Sequence, residues 1–137
     1  MFFLCCFAEV RGQASNKTAQ IATMPAGATK LRINALGKDI EIFKTKGTRI
    51  SIETAVRINI GTLPLLDYLF KSGRYEMELL MDEQINMLTL SPPQNNNVLL
   101  VKGEECEEII TYKIHIPETI KEIETLNANQ GNFVPHQ

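Results

Sequence analysis

Apolar and polar residues alternate from Leu31 to Ile60, and this stretch carries the clearest structural signal in the chain. Apolar side chains recur there at every second position within three segments: Leu31, Ile33 and Ala35, then Ile40 and Ile42, then Ile50 and Ile52. A period of two places the apolar set on one face of a β-sheet. Gly37 and Gly47 fall between the segments, where turns use their backbone freedom. The pattern predicts three half-buried strands, the third continuing to Ile60.

The pattern changes at residues 62–73, TLPLLDYLFKSG. Four apolar residues there have the spacing of a single helix face: Leu65, Leu66, Leu69 and Phe70. Thr62 can cap the start, Pro64 falls in the first turn where a missing N–H is tolerated, and Gly73 suits the C-terminal end. We therefore expect one short helix near 63–71 that covers an open end of the β core. A partner-binding helix is the alternative.

Alternation returns after the helix, with a Pro- and Asn-rich loop at 91–97 that cannot pair as a central strand. A turn at 82–84 predicts a hairpin. Further strands are predicted at 74–81, 87–90, 98–101, 109–116 and 120–126. The fold class is therefore predicted to be all-β, with roughly eight to nine short strands and one short helix. The strands could form either a β-sandwich or a β-solenoid-like coil.

The N-terminal residues resemble a secretion signal without a basic start. Met1 to Ala8 is mostly apolar, and small residues precede a cleavage point after Ala14. This predicts a truncated signal peptide at 1–14 and an exported protein, located in the periplasm, on the outer surface or in the medium. The alternative is an apolar segment that packs on the domain. The remaining chain is divided into a linker or mobile arm, a single β domain and a tail, at 15–28, 29–126 and 127–137.

Composition and charge exclude several classes of function. The chain has 137 residues, of which 44% are hydrophobic and 22% charged, with a net charge of −2. This composition is typical of a globular protein, and the small negative net charge argues against nucleic acid as a partner. Residues 17–60 carry eight Lys or Arg against three acids, whereas residues 61–137 carry five against twelve. We expect the two halves to lie side by side and partly neutralise each other. The apolar N-terminal run is too short to span a bilayer.

Residues that could carry chemistry are few. Glu104–Glu108 surrounds Cys106 with acids, but it lacks the spacing of a calcium loop, and flanking acids disfavour a reactive thiolate. His115 lies on the polar side of a strand without a nucleophile motif beside it. We therefore predict no catalytic residue, no metal ligand and no cofactor.

A basic group near one turn is the candidate binding site. Lys44, Lys46 and Arg49 lie within a short span and could meet a polyanion such as a sulfated glycan or a lipid headgroup. Lysine at strand edges also prevents aggregation, which is the alternative role of these residues.

Two segments together resemble a known family. Leu31–Glu53 contains alternating strands joined by Gly turns, the first of the form Gly-x-Asp-Ile, and Tyr112–Pro117 ends a strand in Ile-Pro shortly before Ile120. This pairing is similar to the adhesin-type β-solenoid domains, of the head-GIN kind, in secreted Gram-negative proteins. The resemblance implies a surface or envelope module without catalytic residues. The insert at 62–73 and the tail at 127–137 depart from that pattern.

Two functions follow from the sequence. The first is a non-enzymatic exported β module of the cell envelope that contacts a protein or glycan partner. The second is a small hydrolase or ligand-binding enzyme domain, which a cleft uniting His115 with a serine and a carboxylate would favour. Self-association through an exposed strand edge, with the last strand at 120–126 as the expected edge, is a further expectation.

Overall fold

The structure is a computed structural model that describes residues 13–93, 97–126 and 133–135, and strands dominate it. In chain order the elements are β1 (Ala14–Thr23), β2 (Lys30–Asn34), β3 (Asp39–Thr45), β4 (Arg49–Ile58), α1 (Leu63–Lys71), β5 (Glu78–Asp82), β6 (Met87–Ser91), β7 (Leu100–Val101), β8 (Glu104–Glu105), β9 (Glu108–Pro117), β10 (Glu122–Leu126) and β11 (Phe133–Pro135). The prediction of an all-β fold with one short helix is confirmed.

Two sheets enclose the main core. Sheet A has the strand order β1-β4-β9-β3-β11, and sheet B has the order β10-β2-β6-β5. The apolar residues that alternation assigns to one face of each strand point between the two sheets. Sheet A contributes Ile40, Ile42, Ile50, Ile52, Tyr112, Ile114 and Ile116 to this core, and sheet B contributes Leu31, Ile33, Leu88 and Leu90. β7 and β8 form a separate small hairpin.

Three strands of sheet B and three of sheet A are ordered alike, which gives three stacked pairs: β2 with β3, β6 with β9, and β10 with β11. β2 pairs in parallel with both β6 and β10, while β3 pairs in parallel with both β9 and β11. The sheet-B strands β10, β2 and β6 therefore have the same order as the sheet-A strands β11, β3 and β9 that follow them in the chain. Leu36 and Gly37, both with positive φ, turn the chain from β2 into β3. Antiparallel strands β1, β4 and β5 flank this stack, so a continuous solenoid is not confirmed.

Two ion pairs lie across the β2–β10 pairing. Lys30 Nζ lies 3.8 Å from Glu122 Oε1, and Arg32 Nε lies 3.3 Å from Glu124 Oε1. These surface pairs stabilise the fold by only about 0.5 kcal/mol each. A shift of one residue would nevertheless bring the basic side chains opposite the wrong face of β10. The basic first half and the acidic second half thus meet here.

Helix α1 begins and ends as the sequence predicts. The Thr62 hydroxyl accepts a hydrogen bond from the Leu65 amide at 3.3 Å, and Gly73 follows the helix with φ +85°. Leu66 and Leu69 are buried in a second apolar cluster at the end of sheet A, together with Val56, Ile58 and Tyr75 from the body of the domain. The helix therefore covers one end of the β core.

The predicted linker or mobile arm at 15–28 is wrong over its first part. Residues 14–23 form β1, which pairs with β4 along its whole length. Side chains secure its inner face: Asn16 Nδ2 donates to Asp67 Oδ1 at 3.0 Å, and the Gln20 amide exchanges two hydrogen bonds with the Met77 backbone, at 3.0 and 3.2 Å. These polar contacts replace the apolar alternation that marks the other strands.

The predictions for the two ends of the chain, a C-terminal tail and an N-terminal signal peptide, have different outcomes. Part of the expected tail at 127–137 forms β11, which adds to the edge of sheet A beside β3, so a purely loop-like tail is wrong. The predicted signal peptide at 1–14 lies, up to residue 12, outside the described residues.

A half-buried ion pair joins the approach to β5 to the start of β9. Arg74 donates from Nε and Nη2 to the two carboxylate oxygens of Glu108, each at 2.8 Å, and the Tyr75 hydroxyl donates to the same group at 2.6 Å. Arg74 also donates to the Asn97 carbonyl at 2.9 Å, which holds the loop before β7. Burial alone would raise the pKa of Glu108, but the hydrogen bonds from Arg74 and Tyr75 outweigh it and hold that pKa below the ordinary value.

Replacing Glu108 by Gln should destabilise the protein in a pH-dependent way. At neutral pH the change leaves the Arg74 guanidinium, 14% exposed, without its counter-charge and should cost about 3 kcal/mol. The pKa of Glu108 is lowered on folding, so the stabilisation is complete above its ordinary value of 4.5 and is lost as the pH falls through the folded-state pKa. Urea unfolding at several pH values should show the wild-type advantage shrinking in acid. The exposed Glu83→Gln variant serves as the control, and a constant difference across pH would contradict the assignment.

Candidate functional site

The outer face of sheet A carries a row of four side chains from neighbouring strands. Alternation buries Tyr112, Ile114 and Ile116 of β9, so His115 points outward. In the strand register Ser51 of β4 and Phe43 of β3 are the partners of His115, and Ile21 of β1 is the partner of Ser51. We call these residues the cross-strand row: Ile21, Ser51, His115 and Phe43. No short motif in the sequence indicates it, because its members come from four separate strands.

The centre of the cross-strand row is a stacked ring pair. The Phe43 and His115 rings have centroids 4.9 Å apart and planes inclined by 16°. Both side chains are half-buried, whereas Ile21 at the sheet edge is 61% exposed. Together they form a flat surface that is partly apolar and open to solvent, a composition suited to contact with another molecule.

Charges on the two sides of the cross-strand row differ. On one side Glu53 and Glu41 flank Lys113 in the register, and Lys17 Nζ lies 3.9 Å from Glu53 Oε2. Acidic and basic groups therefore alternate there and largely compensate one another. On the other side Arg49 is exposed two residues from Ser51 on the same strand, so positive charge borders the row at this end.

The predicted basic residues lie where the chain crosses from β3 to β4. β9 is inserted between those two strands, so the connection at 46–48 passes over the end of β9. Two backbone hydrogen bonds fix the crossing, from the Met24 amide to the Thr48 carbonyl at 3.0 Å and from the Glu118 amide to the Thr45 carbonyl at 2.8 Å. Of the predicted binding residues, Lys46 and Arg49 are exposed and Lys44 is half-buried. Their role in binding stays a prediction.

The arrangement around His115 bears on the hydrolase alternative. Ser51 is its cross-strand partner, and the carboxylates Glu41 and Glu53 lie in the adjacent row. The serine and the histidine nevertheless lie on an open sheet face rather than in a cleft. Among the described residues no hydrogen bond joins them, although a nucleophile and its base must be within hydrogen-bond reach. The absence of catalysis stays a prediction.

The acidic segment Glu104–Glu108 is divided by the fold. Glu104 and Glu105 are exposed in β8, Cys106 is buried with its Sγ donating to the Ile60 carbonyl at 3.2 Å, and Glu108 turns inward to Arg74. Within the described ranges no cluster of three or more histidines, cysteines or acids is arranged to hold a metal ion.

A small polar cavity lies beside the Arg74–Glu108 pair. Its volume is about 70 Å³, and Lys38, Tyr75 and Tyr112 also line it. Tyr112 is 1% exposed, and burial raises its pKa to about 12, so its hydroxyl stays protonated. No residue in the described part of the chain bonds that hydroxyl, and the cavity has room for about two waters.

Comparisons with known proteins give little further information. No family model and no curated protein matches the chain. A crystal structure of a "putative cell adhesion protein" from Clostridium sporogenes is similar at 15% identity with a TM-score of 0.42, over 80% of this chain. The chain spans about half the length of that protein, 47%. In the part of the chain that the structure describes, no helix is long and apolar enough to cross a membrane.

Proposed function

We propose that this chain is a non-enzymatic, exported β module of the cell envelope or surface that binds an acidic glycan on the outer face of sheet A. The observation that carries the proposal is the stacked Phe43–His115 pair on an open sheet face, bordered by exposed Arg49 and Lys46. Arg49 lies two residues from Ser51 along β4, and Lys46 follows Phe43 by three residues in the turn after β3, so both cations are close to the rings in the chain.

Each part of this surface suits a different part of an acidic sugar chain. The C–H face of a pyranose ring packs against an aromatic ring, which removes apolar surface from water. Sulfate or carboxylate groups on the sugar would pair with Arg49 and Lys46, and the positive field would speed encounter. An open, flat face accommodates a polymer that runs past the site, whereas a small-molecule site is usually concave.

The three stacked strand pairs support a relationship to the adhesin-type β-solenoid domains. A β-solenoid repeats such parallel stacking along its axis, and here it involves the same segments that carry the resemblance, β2–β3 and β9.

Removing the two exposed cations should weaken glycan binding. Heparin oligosaccharide serves as the acidic probe and dextran as the neutral one, with binding measured by isothermal titration calorimetry. The double variant Lys46→Gln/Arg49→Gln should bind heparin about tenfold more weakly and with a smaller salt dependence. The matched control is Lys102→Gln/Lys121→Gln, which removes two exposed cations elsewhere. Equal losses in both variants, or no binding by the wild type, would refute the proposed site.

Replacing Phe43 by Ala should separate ring contact from charge. The variant should lose about tenfold in heparin affinity while keeping the salt dependence of the wild type, because the cations remain. Phe43 is half-buried on the outer face, so the free energy of unfolding should fall by only about 1 kcal/mol. Unchanged affinity would show that the rings take no part in binding.

The hydrolase alternative has one favourable observation, the pairing of Ser51 with His115 in the strand register. It predicts that the protein hydrolyses an activated ester such as p-nitrophenyl acetate and that Ser51→Ala and His115→Ala abolish the rate. Our proposal predicts the same background rate for wild type and both variants. A hydrolysis rate that depends on Ser51 would therefore support the hydrolase alternative over the binding module.

A further inference from the structure

The edge strands of the two sheets differ sharply in their protection against pairing. In sheet B, β5 carries Glu78 and Asp82, and β10 carries Glu122 and Glu124, within five residues each. In sheet A, β11 has only three residues. β1 has ten residues, a single charge at Lys17, no proline and an unbroken register with β4. Charges and shortness protect edges from pairing, so β1, with one charge in ten residues, is the least protected edge of the described structure.

The hydrogen bonds of β1 show which backbone groups face outward. The Lys17 amide donates to its neighbour's side chain, Asn16 Oδ1, at 2.8 Å, while the Met24 amide, on the even-numbered series, donates toward the β4 side at Thr48. In an antiparallel ladder the backbone groups of successive residues face alternate sides. The N–H and C=O groups of the even residues therefore bond to β4, and those of the odd residues face outward from the sheet edge. The outward set is Ser15, Lys17, Ala19, Ile21 and Thr23. In the described chain no other backbone pairs with this set.

We propose that β1 pairs antiparallel with β1 of a second copy of this chain, joining two copies of sheet A edge to edge. An edge of this kind is self-complementary about a two-fold axis, because the outward N–H groups meet outward C=O groups of the partner strand, the Lys17 amide exchanging its bond to Asn16 Oδ1 for one to the partner. The second copy offers an edge of the same length with equally little charge. A strand of a different protein need not match β1 in length or in register.

Side-chain pairing selects the register of this dimer. Centring the two-fold axis on Ala19 places Lys17 opposite Ile21 of the partner copy and Ser15 opposite Thr23, so the whole odd series is used. The aliphatic stem of Lys17 then packs on Ile21, which is 61% exposed in one copy. A register centred on Lys17 would oppose two like charges and shorten the ladder.

The dimer would also join the two outer faces into one surface. The cross-strand row begins at Ile21 on β1, so the rows of the two copies would both reach the new interface, four residues apart along the paired strands. Two adjacent binding surfaces raise the avidity for a repeating polymer without any new contact. The dimer itself does not depend on the proposed glycan role, and its tests measure association alone.

A charge introduced at Ile21 tests both the surface and the register. Sedimentation equilibrium should show a wild-type dimer, and Ile21→Lys should weaken it about tenfold, since Lys would oppose Lys17 twice across the interface. The double variant Lys17→Glu/Ile21→Lys should restore association by pairing opposite charges. The matched control is Leu80→Lys, which changes an equally exposed residue, 63%, on edge strand β5 and should leave the dimer unchanged. A monomeric wild type, or equal effects of Ile21→Lys and Leu80→Lys, would overturn the proposal.

Amide hydrogen exchange supplies a measurement that does not depend on a variant. Raising the protein concentration should slow exchange at the amides of Ala19 and Ile21, while the even-numbered amides of β1 are slow at every concentration. Concentration-dependent protection at β10 instead would place the interface at the edge that the sequence favoured, and would overturn the assignment to β1.

Discussion

The alternation of apolar and polar residues along β9 is the constraint on which the rest of the structure depends. β9 lies at the centre of sheet A between β4 and β3. Its inward residues, Tyr112, Ile114 and Ile116, are buried against sheet B, and its outward residue His115 contributes to the candidate site. A shift of one residue would exchange these two sets. Core packing thus fixes the position of the site.

Two groups of charged residues have different environments: one is turned inward and stabilises the fold, and the other faces solvent. Arg74, Tyr75 and Glu108 are turned inward and join two segments that are distant in the sequence, so their perturbed pKa values reflect packing. The cations near the β3–β4 crossing are exposed instead. Perturbed titratable groups often mark functional sites, but here the half-buried ion pair stabilises the fold. The surface that we propose for binding combines the half-buried rings of Phe43 and His115 with the exposed cations Lys46 and Arg49.

Sequence patterns predict the local elements well and the pairings poorly. The strands of Leu31–Ile60 and the cap at Thr62 follow from period and propensity, which are local properties. β1 was expected to be a linker because its inward positions include Asn16 and Gln20, whose polar contacts with distant residues replace apolar burial. The meeting of Ser51 with His115 depends on register between strands far apart in the chain, which no local signal specifies. Lys44, Lys46 and Arg49 can be grouped from the sequence because they are neighbours in the chain, and their role in binding stays a prediction.

The central claim is that the outer face of sheet A is the surface that contacts a partner. Backbone amide NMR spectra recorded while heparin oligosaccharide is added would test it most directly. The account predicts that the largest chemical-shift changes occur at Phe43, Ser51 and His115 and extend to Lys46 and Arg49, with sheet B unaffected. Changes concentrated on sheet B or on the β7–β8 hairpin would contradict it.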